Sequence, residues 1–177
     1  MIKEIMDIKK TILILLILLL LGQKGYSQIG YSGKVETGYL KFIANTIRVD
    51  PGPNWKGYNL ENKNGIDFNF INGIKLKKKI LAGIGIGYLN FEGIDGFSIF
   101  TDFEYLPLKT RLTPLINMKI GYNHIWNQYE NGTGSALFEM GGGLNYKITE
   151  KTDICLQSGF LMTQQSFLIP VRFGFRF

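Results

Sequence analysis

The chain has 177 residues, 45% of them hydrophobic and 14% aromatic, with 22 glycines, one cysteine and a formal net charge of +6. A lone Cys155 excludes a disulfide-stapled scaffold, and 13 Phe and 9 Tyr against 19% charged residues exclude intrinsic disorder. A polytopic helical membrane protein needs several apolar runs of about 20 residues, and this sequence holds a single shorter one.

That run opens the chain. Lys3, Lys9 and Lys10 precede Ile12–Leu21, ten uninterrupted Ile and Leu residues. As a helix it reaches about 15 Å, half of a roughly 30 Å hydrocarbon core, which disfavours a retained anchor. Gly22 ends the run, and Gly25 and Ser27 place small residues two apart. This is the layout of a secretory signal peptide spanning 1–27, with cleavage after Ser27. Met6 is an alternative start. No cysteine follows the run, so lipoprotein processing is excluded. Residues 28–177 then form the mature domain, 150 residues with a net charge of +4.

From Ile29 onward the hydrophobic pattern has a period of two, and turn-like residues divide it into eight segments. The first sets Tyr31, Val35, Thr37 and Tyr39 against Lys34 and Glu36. The second sets Ile66, Phe68, Phe70, Ile74 and Leu76 against Asp67, Asn69, Gly73 and Lys75. The third opposes Ile80, Ala82, Ile84, Ile86 and Tyr88 to Gly83, Gly85 and Gly87. The fourth opposes Phe97, Ile99, Thr101, Phe103 and Tyr105 to Ser98, Phe100, Asp102 and Glu104. The fifth has Ile116, Met118, Ile120, Tyr122 and Trp126 against Asn117, Lys119, Gly121 and Asn123. The sixth has Ala136, Phe138, Met140, Leu144 and Tyr146 against Glu139, Gly141, Gly143, Asn145 and Lys147. The seventh has Ile154, Leu156, Phe160 and Met162 against Asp153, Cys155, Gln157 and Gly159. The eighth has Phe167, Ile169, Val171, Phe173, Phe175 and Phe177 against Arg172, Gly174 and Arg176.

A soluble sandwich would bury the apolar faces; a transmembrane barrel turns them to lipid and lines its interior with the others. Segment length matches the 9–11 residues of a tilted membrane-crossing strand. Aromatics gather near segment ends, as in interfacial girdles, and the polar faces mix glycine with charges of both signs. The expectation is an all-β, eight-stranded antiparallel transmembrane β-barrel. Its outward links would be Ala44–Asn64, Glu92–Gly96, Asn127–Gly134 and the short Gln164–Ser166. Its inward links, around Lys77–Lys79, Lys109–Leu112 and Thr149–Thr152, would be tight. Backbone groups in hydrocarbon must all be paired, so the last strand meets the first. Pro170, lacking a donor, is expected at a bulge or near a strand end.

The terminal Phe173-Gly174-Phe175-Arg176-Phe177 resembles the signal by which outer-membrane barrels reach the bacterial assembly machinery, with Arg172 where a glycine is usual. The Ser27-Gln28 boundary is similar to those common in Bacteroidetes, and Glu104-Tyr105-Leu106-Pro107-Leu108-Lys109 to a strand-and-turn of small barrels of that phylum. Across about 150 residues the chain resembles their PorT-like and OmpX-like outer-membrane barrel domains. The resemblance implies location in the cell outer membrane and assembly through Phe175 and Phe177.

Chemistry is sparse. The single histidine, His124, lies in Tyr122-Asn123-His124-Ile125-Trp126-Asn127 and faces lipid by parity. The stretch resembles the His-x-Ser-Asn motif of outer-membrane lipid A deacylases, but Trp126 stands where the serine nucleophile is required. Glu130 could orient the ring, with nothing left to activate. In the lumen, Glu36, Asp67, Asp102, Glu104 and Glu139 oppose Lys34, Lys75, Lys119, Lys147, Arg172 and Arg176. A narrow eight-stranded interior calls for these to pair. Gly83-x-Gly85-x-Gly87 and Gly141-Gly142-Gly143 precede no helix and make space for bulky neighbours rather than cradle phosphate. One His and one Cys cannot close a zinc site, and Cys155 reads as a buried thiol.

The lysines are split among leader, turns and lumen, which argues against nucleic acid. The expected partners are outer-membrane lipid and lipopolysaccharide, the assembly machinery, and a surface ligand at the Ala44–Asn64 loop with its Trp55 and Tyr58. The reading is a monomeric, non-catalytic, cofactor-free barrel with a structural or loop-presenting role. The alternatives are a lipid A-modifying enzyme and a narrow channel.

Overall fold

In the computed structural model, which describes residues 29–46, 62–126, 133–163 and 166–177, each alternating segment is a strand. They are β1 (Ile29–Asn45), β2 (Gly65–Leu76), β3 (Ile80–Phe91), β4 (Ile94–Tyr105), β5 (Leu112–Ile125), β6 (Thr133–Lys147), β7 (Asp153–Thr163) and β8 (Ser166–Arg176). Each pairs antiparallel with the next, and β8 returns to β1 from Lys34↔Arg176 to Asn45↔Ser166, closing the barrel. Residues 1–28, where the signal peptide is expected, residues 47–61 with Trp55 and Tyr58, and Glu130 lie outside the described residues.

Burial alternates with the period the sequence prescribes, and in the inverted sense. The aliphatic and aromatic faces point out, Ile84 being 63% exposed and Phe68 54%, while Lys119 and Glu36 are each 1% exposed. An aqueous solvent would select the opposite order. Strands of 11–12 residues, such as β2, β3, β4, β7 and β8, rise about 3.3 Å per residue and, tilted about 40°, cover roughly 30 Å of depth. Aromatic side chains ring both ends of the apolar belt: Tyr31, Tyr105, Tyr146 and Phe175 at one, Tyr88, Phe97, Tyr122 and Trp126 at the other, all exposed.

The links depart from expectation in three places. The Glu92–Gly96 link is a two-residue turn, because Ile94, Asp95 and Gly96 already pair with Phe91, Asn90 and Leu89. Glu92 (φ 51°) and Gly93 (φ 96°) both adopt the left-handed conformation that a two-residue hairpin requires. Ala44, expected to begin the first outward link, belongs to β1 and pairs with Phe167 beyond a register shift at Phe42/Ala44. The inward links run from Lys77 to Lys79, from Leu106 to Arg111 and from Ile148 to Thr152; the second is longer than the tight turn expected at Lys109–Leu112, because Pro107 follows the end of β4 and Leu112 already belongs to β5.

Pro170 is neither at that bulge nor at a strand end. It sits mid-β8 opposite Leu40. The β7–β8 ladder passes from Ser158↔Val171 to Leu161↔Leu168 without pairing the residues between. The proline therefore occupies a gap in the ladder, where its missing N–H costs no bond.

The interior is layered. At the outward end Leu40, Ile71, Leu89, Phe91, Ile94, Phe100, Ile125, Leu137, Leu161 and Leu168 form a buried apolar cluster. Charged side chains fill the middle. Leu81, Leu106 and Leu115 make a smaller apolar cluster toward the end that carries the chain termini.

Candidate functional site

The middle layer is an ion network built by strand parity. Glu36, on β1, sits at its hub. It accepts hydrogen bonds from Lys119, from Asn69 at 3.2 Å and from Gln157 at 2.8 Å. The Lys34 ammonium lies 3.0 Å from it and the Arg172 guanidinium 3.8 Å. One carboxylate thus ties together side chains from β1, β2, β5, β7 and β8.

Lys34 also donates to Asp102 at 2.8 Å and to Glu104. Arg172 bridges Asp67, at 2.6 Å and 2.7 Å, to Glu139. Arg176 joins Glu104 to Asn145 at 2.8 Å and Asp153 at 3.4 Å. Lys119 completes the layer beside Glu139 at 3.9 Å, with its ammonium 5.2 Å from the Phe100 ring centroid. Burying these ions is tolerable because each finds several partners, and removing one partner would cost about 3–5 kcal/mol.

The lumen set read from the sequence is brought together, with two exceptions. Lys75 and Lys147 lie toward the terminal end, paired with Asp153 at 3.2 Å and Glu150 at 2.8 Å. Sequence reasoning missed the amides Asn69, Asn117 and Gln157 as members of the network, although their parity placed them inside. It also missed the apolar cluster. Phe91, 1% exposed, and Leu40 and Leu168, both 0%, stopper the lumen on its outward side.

A recess of about 850 Å³ opens at the terminal end. Its lining runs from Tyr31 and Ser32 across Leu106 and Thr113 to Asn145, with Arg176 and Phe177 contributed by the last strand and the chain end. The inward turns supply its rim. The lysines that look dispersed in sequence are therefore gathered: Lys77, Lys78, Lys109, Lys147 and Lys151 surround one opening. Glu150, on this rim, has its carboxyl held below the usual range, first by the hydrogen bond from Lys147 and then by that ammonium's charge.

His124 projects to the outside, half-buried, its ring packed edge-on against Trp126 at 5.5 Å between centroids. Its neighbours across the sheet are Phe97 and Gly134. None of these supplies a nucleophilic oxygen. Gly85 serves packing, since a methyl group there would run into the Phe100 ring and Ile71. Cys155 is a free, buried thiol beside Gly174. Among the described residues, no three His, Cys, Asp or Glu side chains are grouped to hold a metal ion.

No family model matches the chain, and no curated protein matches it in sequence. Solved structures match in fold. Neisserial surface protein A aligns over 84% of this chain and 97% of its own, with a TM-score of 0.64 at 10% identity. The N-terminal β-barrel domain of OprF from Pseudomonas aeruginosa aligns over 82% and 97%, with a TM-score of 0.50 at 14% identity. What is shared is the closed eight-stranded antiparallel barrel of outer-membrane proteins.

Proposed function

We propose that the chain is a non-catalytic integral protein of the bacterial outer membrane, exported by residues 1–27 and serving a structural or surface-presenting role. The observation that carries this reading is the inverted burial pattern, an apolar belt around a closed, charged interior. Such a surface is stable only in a solvent that does not hydrogen-bond. The outward link 46–64, with Trp55 and Tyr58, is the segment long enough to meet a partner. Phe175 and Phe177 close the last strand on the lipid side, where the assembly machinery would read them. Kinship with PorT-like and OmpX-like barrels of Bacteroidetes, and a monomeric state, belong to the same proposal.

The alternatives fare worse on specific grounds. A channel needs a continuous aqueous path, and the apolar cluster around Phe91 and Leu168 lies across the lumen. The void beside Lys34 and Ser32 is about 10 Å³, near the room one water needs. A lipid A-modifying enzyme needs a nucleophile beside His124, where Trp126 stands.

Two experiments test the proposal together. Purified protein in planar bilayers is expected to give no discrete conductance steps. A strain expressing His124→Ala is expected to keep the lipid A profile of the wild type and of the deletion strain. Steps abolished by reversing Glu104 or Arg172, or a lipid A change that depends on His124, would replace it with one of the alternatives.

A further inference from the structure

Among the described residues, the recess at the terminal end carries an excess of positive charge. Seven lysine and arginine side chains line it, against the two carboxylates Glu150 and Asp153. Adding the α-carboxylate of Phe177, and Glu104, which Arg176 holds from the layer behind, leaves three cations in excess. At the opposite end, the described charges balance: Lys41 and Lys63 stand against Glu92 and Asp95.

Pairing accounts for only part of this set. Asp153 is shared by Lys75 and Arg176, and Glu150 by Lys147 and, at 3.9 Å, Lys78. Lys77, Lys109 and Lys151 have ammonium groups with no carboxylate in ion-pair range among the described residues. They come from three separate turns, so the barrel's closure alone assembles them.

The β2–β3 turn adds a second, independent sign. Lys79 N–H closes it on the Leu76 carbonyl at 3.0 Å, with Lys77 at φ 50° and Lys78 at φ 57°. The two central residues of this turn are both left-handed, a pair of positions that favours Asn-Gly, and lysine is a poor choice at both. Backbone strain retained with charged side chains at the rim of a cavity points to a use for those charges.

We propose that this recess binds an anion carrying phosphate groups, held by Lys77, Lys109 and Lys151 with Lys78 beside them. Ammonium groups act on phosphate as point charges on flexible stems, and about 850 Å³ suits a ligand of small-molecule size. The proposal goes beyond the role argued above. Binding by purified protein does not depend on which membrane face the recess meets.

The ligand phosphate could be soluble or part of a lipid headgroup, and the test separates the two. Full-length protein purified from membranes is reconstituted in phosphatidylcholine nanodiscs, with or without phosphatidylglycerol, and followed by amide NMR with inorganic pyrophosphate as soluble probe. Saturable shifts at Lys77–Lys79 and Thr149–Asp153 with pyrophosphate identify a soluble anion. Shifts at the same turns produced by phosphatidylglycerol alone identify a headgroup.

Lys77→Asn/Lys78→Gly, which suits the turn and so keeps the fold, and Lys109→Gln/Lys151→Gln should each weaken binding about tenfold or more, through the loss of two cations. Lys63→Gln, at the other end, should bind as wild type does. Absence of saturable shifts with either probe, or equal binding by both double variants and the wild type, overturns the proposal.

Discussion

Replacing Arg172 by methionine asks the sharpest question of the interior. The guanidinium holds Asp67 through two nitrogens, at 2.6 Å and 2.7 Å, and also reaches Glu139 and Glu36. After its removal Glu36 keeps Lys119 and Lys34, and Glu139 keeps Lys119 and the Asn117 amide at 3.1 Å. Asp67 keeps only the Asn69 amide at 3.0 Å. A buried carboxylate is thereby stranded, at an expected cost of about 3–5 kcal/mol. In urea unfolding of the folded protein in lipid, that corresponds to a midpoint lowered by roughly 2 M at a typical slope. Adding Asp67→Asn should recover most of the loss, because removing a buried pair together is nearly neutral. A cost below about 1 kcal/mol, the level of an exposed ion pair, would refute the buried network. So would a double variant as unstable as the single one.

Other expectations follow from the two faces. Ile86 is 49% exposed at mid-height on β3, and Ile86→Arg should cost about 2–4 kcal/mol if that face meets the middle of a bilayer; a negligible change in unfolding free energy would put it in water. Gly85→Ala should cost about 1–3 kcal/mol by overpacking against Phe100, with partial recovery on adding Phe100→Leu; an unaffected midpoint would contradict the packing. Glu92 accepts from the Lys63 ammonium at 2.9 Å and the Asn64 N–H at 3.2 Å, and its carboxyl is held below the usual range, first by the Lys63 bond. The unfolded chain takes up that proton first, so the turn's contribution is complete above the ordinary glutamate value and lost as pH falls through the depressed one. Carboxyl NMR titration should show the value rising toward normal in Lys63→Met; an unmoved titration would mean the contact is not made.

The eight strands and the sense of their two faces were legible because a period of two, kept over segments such as Phe97–Tyr105, leaves a strand no other register. The lumen charges followed from the same parity. The apolar half of the interior did not. Leu89, Ile94 and Leu137 lie inward, but their chemistry matches that of the lipid face, so only counting parity through Tyr88 and Phe138 separates them. The tight β3–β4 turn had a signal in Glu92-Gly93, akin to the Asp-Gly pair of two-residue hairpins, and it was overshadowed by the expectation of longer outward links. The basic recess had none that a linear reading could use. Lys77, Lys109 and Lys151 are far apart in the chain, and only closure of β8 on β1 makes them neighbours around one opening.

The most direct test of the central claim, a closed barrel whose apolar face meets lipid, is membrane fractionation with gel mobility in SDS compared before and after boiling. The expected result is recovery in the outer membrane and a band whose mobility changes on heating, because a closed backbone ladder resists the detergent until heat opens it. Recovery in the soluble fraction, with one mobility at both temperatures, would contradict it and turn the Ile and Phe faces inward.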